Sequence, residues 1–373
     1  MRRRVIAPRC VLGAASVAAA LVAGCGGGAP MRTTRTTPGA AARGATPMPA
    51  PASRHPRRAP KPRGHRLVRW RGPVEHLFFH TLVIDPRLAF GHDALGQGFR
   101  NYFVTVHEFR AILAQLYAHR WTLVDLHRVV SDRVWVTKGR RPFVLSEDDV
   151  NYYDYSRSRG LGWRLVLDAR GQVKVEEHDG RVVRVTGNDI VPIVDAFVAR
   201  HPDFSANGAK GVLAVTGFEG ILGERVNVRG SAQWRSRVAR ARAVAARLRA
   251  TGWTFASHSY GHIDVTQTSA DLVRRDALRW LAEAVPIVGR THVYVYPYGA
   301  QPPPGSPQIQ ALRALGFTVQ CGIDIVPRLV RADGVTFMSR RHIDGIAFAS
   351  AQQRAALAPM FSVKAVEDVV ARR

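Results

Sequence analysis

Cysteine is scarce in this chain: three residues in 373, at Cys10, Cys25 and Cys321. Two fall within the first 25 positions, so no disulfide framework is on offer and a folded domain must be held by its core. Acidic residues are absent from the first 70 positions, and 28 in all stand against 54 Lys and Arg. Beyond the N-terminal stretch, no run is apolar over the ~20 residues that a membrane-crossing helix needs. No G-x-G-x-x-G follows the first apolar run and no G-K-[ST] loop occurs, which removes the anchors of nucleotide sites. Zinc-finger spacing, an RNA-binding aromatic signature and a helix-turn-helix are missing too. No internal period marks a solenoid.

The N-terminus has its own pattern. Residues 1–24 combine a basic start, an apolar stretch and small residues, as a secretory signal does. Leu21-Val22-Ala23-Gly24-Cys25 looks like a bacterial lipobox, with Cys25 as the lipidated first residue; the plainer alternative is a signal peptide with an incidental cysteine. Residues 25–70 are rich in Pro, Ala, Gly, Thr and Arg, a composition that builds no core and reads as a tether. Fourteen Lys and Arg precede residue 71 with no acid among them, which leaves about half of the +26 net charge for the rest. Charge so placed suits an anionic cell wall or membrane surface better than nucleic acid. The expectation is an exported monomer, lipid-anchored to the cell membrane and facing the cell wall or periplasm.

Residues 71–373 suffice for one large α/β domain. Apolar runs suited to strands (74–84, 141–146, 211–217, 254–259, 291–297, 318–323) alternate with stretches of helical spacing (103–121, 189–204, 233–253, 271–285, 306–317). The helix over 189–204 is expected to bend or restart at Pro192, and a last helix falls within 350–371. Residues 157–186 carry charged alternation and turn glycines, a two- or three-stranded excursion. Alternation of this kind predicts an α/β barrel or a doubly wound sheet.

Three stretches follow strands. "SEDDV" sets Asp148 and Asp149 after an apolar run, where a solvated turn is the plain alternative. "HSYGH" holds His258 and His262 at i and i+4; one helical turn would bring both imidazoles to one side. Two histidines and a carboxylate form a facial ligand set with open positions. Ser259 stands where a zincin has its glutamate, so a hydrolytic base would come from the Asp pair. "PYG", Pro297-Tyr298-Gly299, is a turn whose backbone N–H groups can face an oxyanion. Cys321 reads as a core residue.

Together these stretches resemble the polysaccharide deacetylases of the NodB-like group, carbohydrate esterase family 4, over roughly residues 76–350. The resemblance implies a distorted seven-stranded (β/α) barrel of TIM type. It implies Asp148 as general base, with Asp149, His258 and His262 on a divalent metal (zinc, with cobalt, manganese or nickel as alternatives). The Tyr298 N–H would serve the oxyanion, with Pro297 and Gly299 shaping the substrate pocket. Departures are plain: Glu147 replaces an apolar residue, Val150 a glycine, and Val295 the arginine that orients the base. His342 is the candidate general acid, in flanks unlike the family's. The stretch 157–235 exceeds a minimal member, and Phe218, Glu219 and Arg225 are candidates there for a lid or substrate wall. The implied activity is removal of N-acetyl, or O-acetyl, groups from a cell-envelope polysaccharide or peptidoglycan. The alternatives are a non-catalytic glycan-binding lipoprotein on the same fold and a two-histidine, one-carboxylate iron oxygenase.

Overall fold

The computed structural model describes residues 66–179 and 182–372. The predicted signal peptide, Cys25 and all but the end of the predicted tether lie outside these residues. Seven parallel strands close into a ring: β1 (Glu75–Phe79), β2 (Arg141–Glu147), β3 (Val212–Val215), β4 (Thr254–Ser257), β5 (Val293–Val295), β6 (Val319–Ile323) and β7 (Val335–His342). Neighbours follow chain order, and β7 returns to β1 through Arg341↔Leu77 and His342↔Phe78. Helices Val106–Ala118, Ile190–Arg200, Trp234–Ala250, Ala270–Glu283 and Pro307–Ala314 lie on the first five crossovers. The sixth has no helix; Leu329–Ala332 pairs antiparallel with β7 instead. The result is the distorted (β/α)7 barrel that the resemblance implied.

The side-chain period of two sorts the core into two populations. Inside the ring sit mostly small residues, including Val144, Val212, Ala214, Ala256, Val295, Val319 and Cys321, with the longer Met338 among them. A seven-stranded ring is narrow, and Val or Ala fills it without strain. The alternate residues, among them Leu77, Phe79, Phe143, Leu145, Leu213 and Phe255, face the helices in the larger cluster. Each such side chain contributes about 1.5–3 kcal/mol through burial.

Local signals set the helix ends. Thr105 and Glu108 form a capping box at Val106–Ala118. The helix Trp234–Ala250 buries Val238, Ala241, Val244, Ala245 and Leu248 and ends ahead of Gly252. Gly252 has φ +101°, and a Cβ there would stand 1.9 Å from the Gly208 carbonyl oxygen. The expected bend at Pro192 is corrected: Ile190–Arg200 is one helix with Asp189 as its N-cap. Pro192 falls in the first turn, where its missing N–H would have had no intrahelical partner. The expected helix in 350–371 is three short ones, Ala351–Leu357, Val363–Val366 and Val369–Arg372.

Residues 162–186 form the anticipated excursion, three antiparallel strands Gly162–Leu167, Val173–His178 and Val183–Thr186. Leu67–Arg69 pairs with Trp135–Thr137, so ordered pairing begins before residue 71. Strand β7 was not foreseen. Its run "VTFMSRRH" breaks apolar alternation with three basic residues.

Candidate metal centre

The site lies where strands β2, β4 and β5 end. Asp148 N donates to the Phe79 carbonyl, extending the β1–β2 pairing by one step. Asp149 then takes φ +58°, a left-handed conformation that costs a residue with a Cβ about 1–2 kcal/mol. That reversal lets two adjacent carboxylates serve one cleft, which an extended backbone forbids.

The histidines converge by a related device. The segment from His258 to His262 is not a helical turn, as the i, i+4 spacing suggested; Ser259 (φ +57°) and His262 (φ +52°) fold it back. Asp276, on the helix Ala270–Glu283, holds the loop by accepting from the N–H groups of Tyr260 (2.6 Å) and Gly261 (2.8 Å). Asp149 Oδ1 lies 3.8 Å from His258 Nε2 and 3.6 Å from His262 Nε2. Asp149, His258 and His262 offer ligand atoms all within 4.8 Å of one another.

The chemistry of this donor set fits a divalent cation. His258 Nδ1 faces the Val295 carbonyl oxygen at 2.9 Å. A carbonyl only accepts, so Nδ1 carries the proton and Nε2 presents its lone pair to the cluster. Burial pushes the His258 imidazole down to about 4, against the opposing pull of Asp148 and Asp149, so it is neutral at pH 7. Burial would raise Asp149, but His262, His258 and His80 outweigh it and hold the carboxyl below its ordinary value. A neutral imidazole and an ionised carboxylate are the ligating forms. The Tyr153 hydroxyl donates to the same Asp149 Oδ1 at 2.9 Å.

Asp148 has a different environment. It is 2% exposed, and Arg340 from β7 grips it with two parallel bonds, Nη1–Oδ1 2.7 Å and Nη2–Oδ2 2.9 Å. The guanidinium carbon lies 4.1 Å from the centre of the Phe78 ring, and Nη1 also reaches Ser146 Oγ at 3.3 Å. Burial would raise Asp148, but Arg340 first and then His258 bring it down to about 2. Asp148 Oδ2 is 3.9 Å from His258 Nε2. Val295, at the position where the family has its arginine, is inside the barrel. The sequence offered only a weak signal for Arg340: a basic residue two positions after Met338, both on the inward side.

Tyr298 sits in the turn Pro297–Gly299 with φ +58° and is 62% exposed, its ring 4.5 Å from that of His262. Gly299 (φ +65°) packs on Ile323, where a Cβ would meet Cδ1 at 2.3 Å; Pro297 is buried. His342 is elsewhere engaged: Nδ1 with Asp344 at 2.9 Å and Nε2 with Gln353 at 3.0 Å, so neither ring nitrogen is free for a leaving group. Arg225 spends its donors on Asp154, Tyr152, Asn151 and Gly223, and Glu219 accepts from Asp154 N. Both residues brace the loop after β2 and do not form a free substrate wall.

His80, one residue past β1, was read only as part of the opening strand. It is partly exposed, its Nδ1 meets the Tyr102 carbonyl at 3.0 Å, and it lies close enough to Asp148 and Asp149 to contribute to the lowering of both carboxyls. The available signal was a histidine directly after a buried strand.

No protein-family model and no curated protein matches the chain. Solved structures do. The Streptococcus pyogenes deacetylase PplD, in complex with acetate, is 13% identical over 78% of this chain and 99% of its own, with a TM-score of 0.47. The de-N-acetylase from Aggregatibacter actinomycetemcomitans is 13% identical over 78% and 100%, with a TM-score of 0.45. IcaB from Ammonifex degensii is 12% identical over 78% and 97%, with a TM-score of 0.42.

Proposed function

We propose that the protein is a metal-dependent deacetylase acting on N-acetyl groups, and by the same apparatus O-acetyl groups, of a cell-envelope polysaccharide or peptidoglycan. One observation carries the reading. Asp149, His258 and His262 meet at one point, beside a second carboxylate, Asp148, held out of that set by Arg340.

Asp149 Oδ1, His258 Nε2 and His262 Nε2 would hold the cation. When bound it supplies positive charge that polarises an acyl carbonyl and lowers the pKa of water. Asp148, ionised at neutral pH, takes the proton of the attacking water on a carboxylate oxygen. Arg340 fixes the plane of that carboxylate and keeps it charged. The Tyr298 N–H donates to the oxyanion as the carbonyl becomes tetrahedral. His80 is the proton donor: the Tyr102 carbonyl holds Nδ1–H, so Nε2–H is the proton passed to the leaving amine or alcohol. Products are acetate and a free amino sugar, or a free hydroxyl. A lipid anchor at Cys25 with the basic tether would keep the domain near envelope glycans.

Acetate release from N-acetylated oligosaccharides and from peptidoglycan tests the reading. Activity is expected that a chelator abolishes, that added zinc restores and that Asp148→Ala removes. Cation binding by the wild type with no turnover of any acylated glycan would defeat it.

A further inference from the structure

Tyr153, whose hydroxyl donates to Asp149, belongs to a chain of four aromatic rings. Phe99 lies 6.2 Å from Tyr155 at an interplanar angle of 27°. Tyr155 lies 5.5 Å from Tyr153 at 23°, and Tyr153 lies 6.3 Å from Phe218. Phe99 and Tyr153 are buried, but Tyr155 and Phe218 remain 46% and 48% exposed. Exposed aromatics at a loop tip often sit on loose backbone; the backbone of Phe218 is tied on both sides. Its N–H donates to the Tyr260 carbonyl at 2.9 Å, within the loop that carries both histidines. Its carbonyl accepts from Asn151 Nδ2 at 3.0 Å, within the loop that carries Asp149. Gly217, which precedes it, also donates to Tyr260, and a Cβ there would stand 2.2 Å from that tyrosine ring. Both ligand-bearing loops therefore fix the backbone that presents one half-exposed apolar ring beside them. Tyr155 is close enough to feel the charge of Asp149: burial first, then that carboxylate, Glu219 and Tyr298, raise its phenol.

A rigid aromatic face bordered by polar groups suits a pyranose, which has one apolar C–H face and a rim of hydroxyls. The polar border is present in Asp154, whose side chain is 62% exposed, and in the neighbouring carboxylate of Glu219. A lipid chain would call for a wider apolar patch than these two rings provide. We propose that Phe218 and Tyr155 form an aromatic platform for the sugar adjacent to the one whose acyl group enters the Asp149–His258–His262 site. The preferred substrate is then an oligomer or polymer, selected over single sugars by this subsite. The proposal rests on the deacetylase reading.

The test compares the β-linked N-acetylglucosamine hexamer with the monosaccharide, on the metal-loaded protein. In the wild type kcat/KM favours the hexamer. Phe218→Ala is expected to cut that preference about 3- to 10-fold, chiefly through KM, and Phe218→Trp to retain it. Thermal unfolding and metal content of the variants guard against a folding defect, since the Phe218 backbone, not its ring, makes the contacts with the two loops. Direct titration of the hexamer gives a second readout that needs no turnover. Wild-type binding that Phe218→Ala weakens, without any acetate release, would leave the platform standing and remove the deacetylase reading. Turnover with a chain-length preference unchanged in Phe218→Ala would remove the platform alone. A wild type that neither binds nor prefers the hexamer would overturn it as well.

Discussion

Replacing Arg340 by Met probes the buried pair on which the base depends. The Arg340 side chain is fully buried and that of Asp148 is 3% exposed. The carboxyl is held at about 2 against an ordinary 3.8, a difference of about 2 kcal/mol in favour of the ionised form. Removing one member of a buried pair also strands the other, so the loss of stability is expected at about 3–5 kcal/mol. At roughly 2–4 °C per kcal/mol, Tm drops on the order of 10 °C. Because the folded pKa is depressed, the pair stabilises fully above about pH 4 and its contribution is lost as pH falls toward 2. The gap between wild type and variant should therefore narrow on acidification. Urea unfolding at pH 7 and at pH 3 reads this directly. The double variant Asp148→Asn/Arg340→Met should recover part of the loss, since no charge is then buried alone. In catalysis, burial without Arg340 raises Asp148, so the acid limb of the kcat/KM profile moves upward in pH and activity at pH 7 drops by about 100-fold. A stability loss under about 1 kcal/mol, or an acid limb that stays in place, would refute the argument that Arg340 orients and charges the base.

Substituting Asp149 by Asn or His262 by Ala should lower bound metal per chain well below that of wild type, measured by elemental analysis after dialysis, with Asp148→Asn retaining it. His80→Gln should reduce kcat on an N-acetyl sugar by about 100-fold or more, and far less on an aryl acetate whose leaving group needs no proton. His342→Gln should leave the first rate within a few-fold and lower Tm, because its ring is tied to Asp344 and Gln353. Equal losses in the two histidine variants would contradict that assignment. Glu147 is 0% exposed, neither carboxyl oxygen has a hydrogen-bond partner among the described residues, and burial, Asp189 and Asp148 push it well above its ordinary range. Its raised pKa favours folding below about pH 4.5 and weighs against it as pH rises, so Glu147→Gln should gain stability over wild type increasingly from pH 5 upward. Chemical denaturation across that range checks the slope; a gain independent of pH would show that Glu147 is ionised in the fold.

Local patterns in the chain were enough to fix much of this protein. Strand–helix alternation, the buried face Val238-Ala241-Ala245-Leu248, the antiparallel excursion and the three post-strand stretches are written in nearby residues, and a period of two or 3.6 needs no distant partner to be read. Residue type and spacing nominated the Asp148–Asp149 pair with His258 and His262, and the family resemblance singled out Asp149 as the ligand. The tertiary structure decided matters that depend on which strand lies beside which. Ring closure set Arg340 of β7 against Asp148, just past the end of β2 and nearly 200 residues away, and so supplied an arginine where Val295 has none. It tied up both nitrogens of His342, turned Arg225 inward as a brace, and brought His80 to the cleft edge. None of these follows from spacing, because a hydrogen bond formed across a barrel depends on register and strand order, and both are set only when the sheet closes on itself.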